Sequence, residues 1–107
     1  MFARILEFVP KHEKKDEFIK VMKHEVLPIL RKQTGFLEVL PFSPMEKMEK
    51  MIVVSLWTEK RHAEVYMREA FPRVEEIVRP YLTTPITWKV YALETAVCEH
   101  FEKALAA

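Results

Sequence analysis

A chain of 107 residues, 50% of them hydrophobic, has room for one domain with its own core and little room for a second. Its 17 basic and 16 acidic side chains nearly cancel and are interspersed, so no one-signed field exists to attract nucleic acid or an anionic membrane. No apolar run approaches the roughly 20 residues that cross a bilayer, and MFARILEFVPKHEKK carries its charge after the apolar stretch with no small-residue cleavage site, which points to a cytoplasmic protein.

Phe2 to Val9 is apolar on both alternating faces apart from Arg4 and Glu7 and reads as a central strand ended by Pro10. From about Glu13 the period changes. Phe18, Met22, Val26 and Ile29 share one helical face, joined by Ile19 and Leu30, with Lys14, Lys20, Lys23 and His24 opposite. Pro28 lacks an N–H and its ring clashes with the preceding turn, so this helix is predicted to kink or restart there. Lys32 then supplies a positive last turn and Gly35, the only glycine, a left-handed stop.

Phe36 to Phe42 is a second, short strand, and Pro41 assigns it to a sheet edge because proline cannot donate to a ladder. Ser43 to Lys50 reads as an exposed hairpin connection, its methionines simply solvated. Met51 to Trp57 is a strand with apolar residues on both faces, which predicts cover on both. A helix follows directly, capped by Thr58 with Glu59 in its first turn and Ala63, Tyr66, Met67 and Ala70 as its apolar stripe. Pro72 suits the first turn of a short helix carrying Val74, Ile77 and Val78. Pro80 and Pro85 bracket a loop, and Ile86 to Leu93 is the last strand. The segment Ala96 to Leu105 spaces Val97, Phe101 and Leu105 helically and is expected to dock on protein, most economically on a partner subunit. Cys98 can form no internal disulfide and has no histidine or cysteine at ligand spacing, so an idle thiol and no metal site are expected.

The order strand, helix, strand, strand, helix, strand predicts an α+β, ferredoxin-like fold: a four-stranded antiparallel sheet with helices on one face. The domain is placed at residues 1–95, with 96–107 as an extension. Two helices cover one face only, yet the Met51 strand carries Ile52, Val54 and Leu56 on one side and Met51, Val53 and Trp57 on the other. A homodimer formed through the Ile52, Val54 and Leu56 face removes the exposed apolar surface.

The element order, the TGF turn at Thr34 to Phe36 and the segment SLWTEKRHAEVYMREAF resemble the antibiotic biosynthesis monooxygenase superfamily, over residues 2 to 95. The resemblance implies a dimeric α/β barrel with a small hydrophobic pocket between sheet and helices in each subunit. Its members include cofactor-free oxygenases of quinols and aromatic polyketides and also haem-degrading enzymes. Of the haem-degrading residues, Trp57 matches the tryptophan at the end of the third strand. The asparagine place falls on Leu6 or Arg4, and the histidine place near Glu75, neither of which keeps the required chemistry.

The site expected on these grounds has Trp57, Tyr66, His62 and Phe71 as its walls and Leu6 and Val53 as its floor. His62 and Tyr66 stand four apart on one helix surface, either as a proton relay to a phenolic substrate or as an ordinary amphipathic rim. Trp57 either orients a flat aromatic ligand or packs as core. Arg4 snorkels to the sheet edge, pairs with Glu7 or Glu94, or offers its charge to an oxyanion, with pairing the safest of the three. Two functions follow: a monooxygenase needing no cofactor, acting on a small aromatic phenol or quinol, or a non-catalytic dimeric module that binds a small hydrophobic ligand.

Overall fold

A computed structural model describes residues 1–46 and 49–97 of the chain. Strands β1 (Phe2–Phe8), β2 (Phe36–Phe42), β3 (Met51–Trp57) and β4 (Thr87–Ala92) form one antiparallel sheet in the order β2-β3-β1-β4. Helices α1 (Lys15–Val21), α2 (Leu27–Arg31), α3 (Lys60–Glu69) and α4 (Phe71–Val78) supply the core on one side of it. This is the ferredoxin-like α+β arrangement that the element order predicts. Pro41 does lie on an edge strand, β2, where its missing donor breaks no ladder on the open side.

The kink expected at Pro28 takes a specific form. Between α1 and α2 the chain makes a π-helical turn, Met22–Val26, in which the Leu27 amide reaches back five residues to the Met22 carbonyl. The wider turn relieves the proline ring of its clash with the carbonyl four residues earlier, so the rod bends without breaking. Gly35 ends it at φ +80°, in the left-handed region, as expected.

Alternation on the two central strands decides what faces the helices. Phe2, Arg4, Leu6 and Phe8 of β1 and Met51, Val53, Ser55 and Trp57 of β3 point inward, with Arg4 opposite Ser55 and Leu6 opposite Val53. Phe18, Val26, Leu30, Ala63, Tyr66, Phe71, Val74 and Val78 close over them. Ile52, Val54 and Leu56 point the other way, into a face that no helix among the described residues covers.

Three expectations need correction. Thr58 does not cap α3: the N-cap is Glu59 in extended conformation, no side chain caps it, and the Thr58 amide is already committed to the Gly35 carbonyl at 2.8 Å. Ile19 is 46% exposed rather than core, because it sits a quarter-turn from Phe18 and the buried face is fixed by Phe18, Val26 and Leu30. β3 is covered on one face within the subunit, not on both. The docking expected of Ala96 to Leu105, and the expectations for Cys98 and Met48, lie outside the described residues apart from Ala96 and an exposed Val97. No helix among the described residues is long and apolar enough to cross a membrane.

Candidate functional site

Five aromatic rings cross the inner face in succession. Phe36 meets Trp57 at 5.6 Å, Trp57 meets Tyr66 at 5.1 Å, Tyr66 meets Phe71 at 6.1 Å and Phe71 meets Trp88 at 5.9 Å, mostly edge to face. Arg4 lies against the middle of this run, its guanidinium carbon 4.8 Å from the Phe71 ring centre and 5.3 Å from that of Tyr66. The ring quadrupoles attract the cation, which offsets part of the cost of its burial.

That burial is nearly complete. Arg4 is 1% exposed, and among the described residues its Nε and Nη2 have no hydrogen-bond partner. The expected ion pair is absent among the described residues. Glu7 is three residues along a strand and therefore on the opposite face, where it meets Lys50 at 3.6 Å. Burial lowers the pKa of Arg4 below the ordinary arginine value, with Tyr66 opposing the shift, yet an arginine keeps its charge at neutral pH. Burial pushes the Tyr66 hydroxyl up to about 12, and the neighbouring Arg4 charge pulls it back only in part, so Tyr66 is neutral at physiological pH.

Beneath these groups lies an apolar inner space of about 30 Å³, room for a single water, lined among others by Arg4, Leu6, Val53, Ser55, Tyr66 and Phe71. It shares Phe18, Met22, Val26, Leu30, Val39 and Val53 with a larger cleft of about 280 Å³ that opens beside Ile19, Lys23 and Pro41. The inner space and the cleft adjoin through these six side chains and are together called the chamber, from the π-helical turn to Arg4. Its size and apolar walls suit a ligand of one or two rings.

Of the residues expected at the site, Arg4, Leu6, Val53, Tyr66 and Phe71 therefore meet around one space, and Trp57 and His62 do not line it. Trp57 is 0% exposed and packs as core, its Nε1 donating to Ser55 Oγ at 3.0 Å. His62 sits at the end of the sheet over Gly35, with Nε2 3.3 Å from Glu59 Oε2. The relay from His62 to Tyr66 is thus not assembled in the chamber, since one helical turn carries the imidazole past the end of the sheet. Ser55 and the wall from the π-helical turn were not anticipated. A serine interrupting MIVVSLW at the same parity as Val53 and Trp57 was the available signal for the first.

A family model described as antibiotic biosynthesis monooxygenase matches residues 1–71, from β1 to the start of α4. The chain belongs to the antibiotic biosynthesis monooxygenase family. SnoaB from Streptomyces nogalater, described as a cofactor-independent oxygenase, superposes with a TM-score of 0.75 over 92% of this chain and 97% of its own, at 15% identity. A conserved protein from Methanosarcina mazei Go1 does so at 0.73 over 88% of this chain and 94% of its own, at 17% identity. At such identities the likeness shows the fold. No curated protein matches the chain. The haem chemistry known in this superfamily does not fit the residues present: Glu75, near the histidine place, is on α4 with its carboxylate 3.4 Å from Arg79, and Trp57 is sealed in the core. Among the described residues no cluster of three or more histidines, cysteines or carboxylates could hold a metal.

Proposed function

We propose that this member of the family is a cofactor-independent monooxygenase acting on a small aromatic phenol or quinol held in the chamber between sheet and helices. The observation that carries the reading is the chamber itself, an apolar enclosure whose inner end presents only Arg4, Ser55 and Tyr66 as polar groups. SnoaB, of the same fold, supports the oxygenase reading. The walls exclude water from a reactive intermediate, and the three polar groups orient the ring oxygen. The substrate supplies the electrons: a phenol, through its keto tautomer, has a CH₂ group that loses two hydrogens and gains one oxygen atom of O₂ as a carbonyl. The second oxygen atom leaves with those hydrogens as water, which balances the four-electron reduction of O₂.

Among the described residues the lining of inner space and cleft contains no histidine and no carboxylate. That observation favours a second reading, a module that holds such a ligand without turning it over. Oxygen uptake with a panel of quinols separates the two. Uptake by the wild type that is lost in Met22→Trp, which fills the shared wall, supports the oxygenase; tight binding without uptake supports the module; neither binding nor uptake removes both.

The functional unit on this reading is a homodimer joined through the sheet face that bears Ile52, Val54 and Leu56. An interface of that kind buries on the order of 2,000 Å² in total. Light scattering at micromolar concentration reads twice the chain mass if this is right, and the single chain mass if it is wrong.

A further inference from the structure

We infer that the ligand of this chamber is a planar organic anion already ionised at neutral pH, an acidic hydroxyl beside a carbonyl on a quinoid or aromatic ring, and that Arg4 binds its two oxygens. The inference rests on the preceding reading that the chamber takes a small aromatic molecule, and it narrows that class.

The first support is Arg4 itself. A buried cation with no anion beside it is strongly unfavourable, and replacing such groups by apolar side chains of similar volume is often neutral or stabilising. The fold therefore gains nothing from a charge at this strand position, where an aliphatic residue would pack as Leu6 does two residues on. Among the described residues the acids of the surroundings are already engaged. Glu7 meets Lys50 on the far face, Glu64 meets Lys60 at 3.6 Å on the rim of the groove behind Arg4, and Glu59 holds Arg61 and His62 at the end of the sheet.

The second support is which donors are unpaired. Nε and Nη2 lie along one edge of the guanidinium plane and point in parallel. That edge matches two coplanar oxygens on adjacent carbons, or a carboxylate, with two parallel N–H···O bonds. A single neutral hydroxyl would leave one donor still unmatched.

The third support is the missing base. Among the described residues Arg4 and Tyr66 are the only ionisable groups lining the inner space, and Lys23 at the mouth of the cleft adds a further cation. Tyr66, neutral to high pH, can donate a hydrogen bond but accepts no proton from a phenol at pH 7. A substrate that must be an anion to reduce O₂ thus has to bring its own acidity. Arg4 then lowers the ligand's pKa further, by stabilising the charged form.

The test compares 2-hydroxy-1,4-naphthoquinone, which ionises, with its 2-methoxy ether, which cannot, by titration calorimetry at pH 7. In the wild type the hydroxyl compound should bind at least about tenfold more tightly, the span of a buried charge-assisted hydrogen bond. Arg4→Met should bring the ratio to about one. Arg4→Lys, which keeps the charge and loses the fork, should give an intermediate ratio, and it serves alone if the Met variant does not fold. Equal affinity for the two compounds in the wild type, or a ratio that survives in Arg4→Met or is undiminished in Arg4→Lys, would overturn the anion inference and leave the chamber reading standing. Binding of neither compound would overturn both.

Discussion

Tyr66 and His62 stand one turn apart on α3, and they live in different solvents. Tyr66 is buried between Trp57, Phe71 and Arg4 at the middle of the sheet, while His62 lies over Gly35 at its end and shares Glu59 with Arg61. Four residues of helix rise about 6 Å along the axis. That distance is small against the sheet, but it separates a dry chamber from a wet corner. Helical spacing tells which residues share a stripe; how far along the sheet each member lands depends on where the helix starts. Here it starts at Lys60, because Thr58 is held by the Gly35 carbonyl.

Trp57 joins the two regions, touching Phe36 toward the corner and Tyr66 toward the chamber. Truncating it should damage both. Trp57→Ala removes a fully buried indole and leaves Ser55 without its donor, and a loss of about 3–5 kcal/mol in urea unfolding is expected. A loss under 1 kcal/mol would show that the ring does not join corner and chamber.

Gly35→Ala strikes the corner alone. A Cβ there would sit 2.4 to 2.6 Å from three carbons of His62, and the backbone φ of +80° is strained for any residue with a side chain. The left-handed conformation alone costs about 1–2 kcal/mol, so a total of roughly 2–3 kcal/mol is expected once the turn at Gly35 shifts to relieve the contact. Ligand binding by the fraction that remains folded should be unaffected, since neither residue lines the chamber. A Gly35→Ala protein as stable as wild type would mean that His62 swings clear at no cost.

Tyr66→Phe probes the chamber alone, through pH. The folded-state pKa of Tyr66, about 12, lies above the value of 10.0 for a free tyrosine. Its contribution is therefore fully present below pH 10 and is lost as pH rises toward 12, because the unfolded chain gives up the proton first. The slope expected is about 1.4 kcal/mol per pH unit in that window. In Tyr66→Phe this part of the alkaline loss should vanish while stability at pH 7 changes little. Parallel curves for the two proteins between pH 10 and 12 would place the hydroxyl in water.

Much of this was legible in the residues. Period-two alternation assigns Leu6 and Val53 to one face, Gly35 can only be a left-handed stop, and Pro41 belongs at an edge. The same alternation already forbids the pairing of Arg4 with Glu7, since residues three apart on a strand face opposite ways. What alternation cannot supply is the third dimension: which helix lies over Arg4, and whether an acid comes with it. The displacement of Trp57 from the chamber wall was illegible for a related reason. A tryptophan at the end of a strand can turn toward a ligand or lie under a helix, and Tyr66 and Phe36 settle it by closing on both sides.

The smallest effect expected is the most direct test of the boundary between the two regions. His62→Ala removes an imidazole whose only polar contact among the described residues is the exposed carboxylate of Glu59, which Arg61 already binds at 2.7 Å. An ion pair so open to solvent contributes at most about 1 kcal/mol, and screening by salt reduces that further. The lost packing over Gly35 adds a few tenths. Melting should therefore fall by only a few degrees, and oxygen uptake or ligand affinity should stay within about twofold of wild type. A pH-dependent loss of turnover confined to His62→Ala would reinstate the imidazole as a proton carrier, and it would require α3 to move by most of a turn to bring that ring into the chamber.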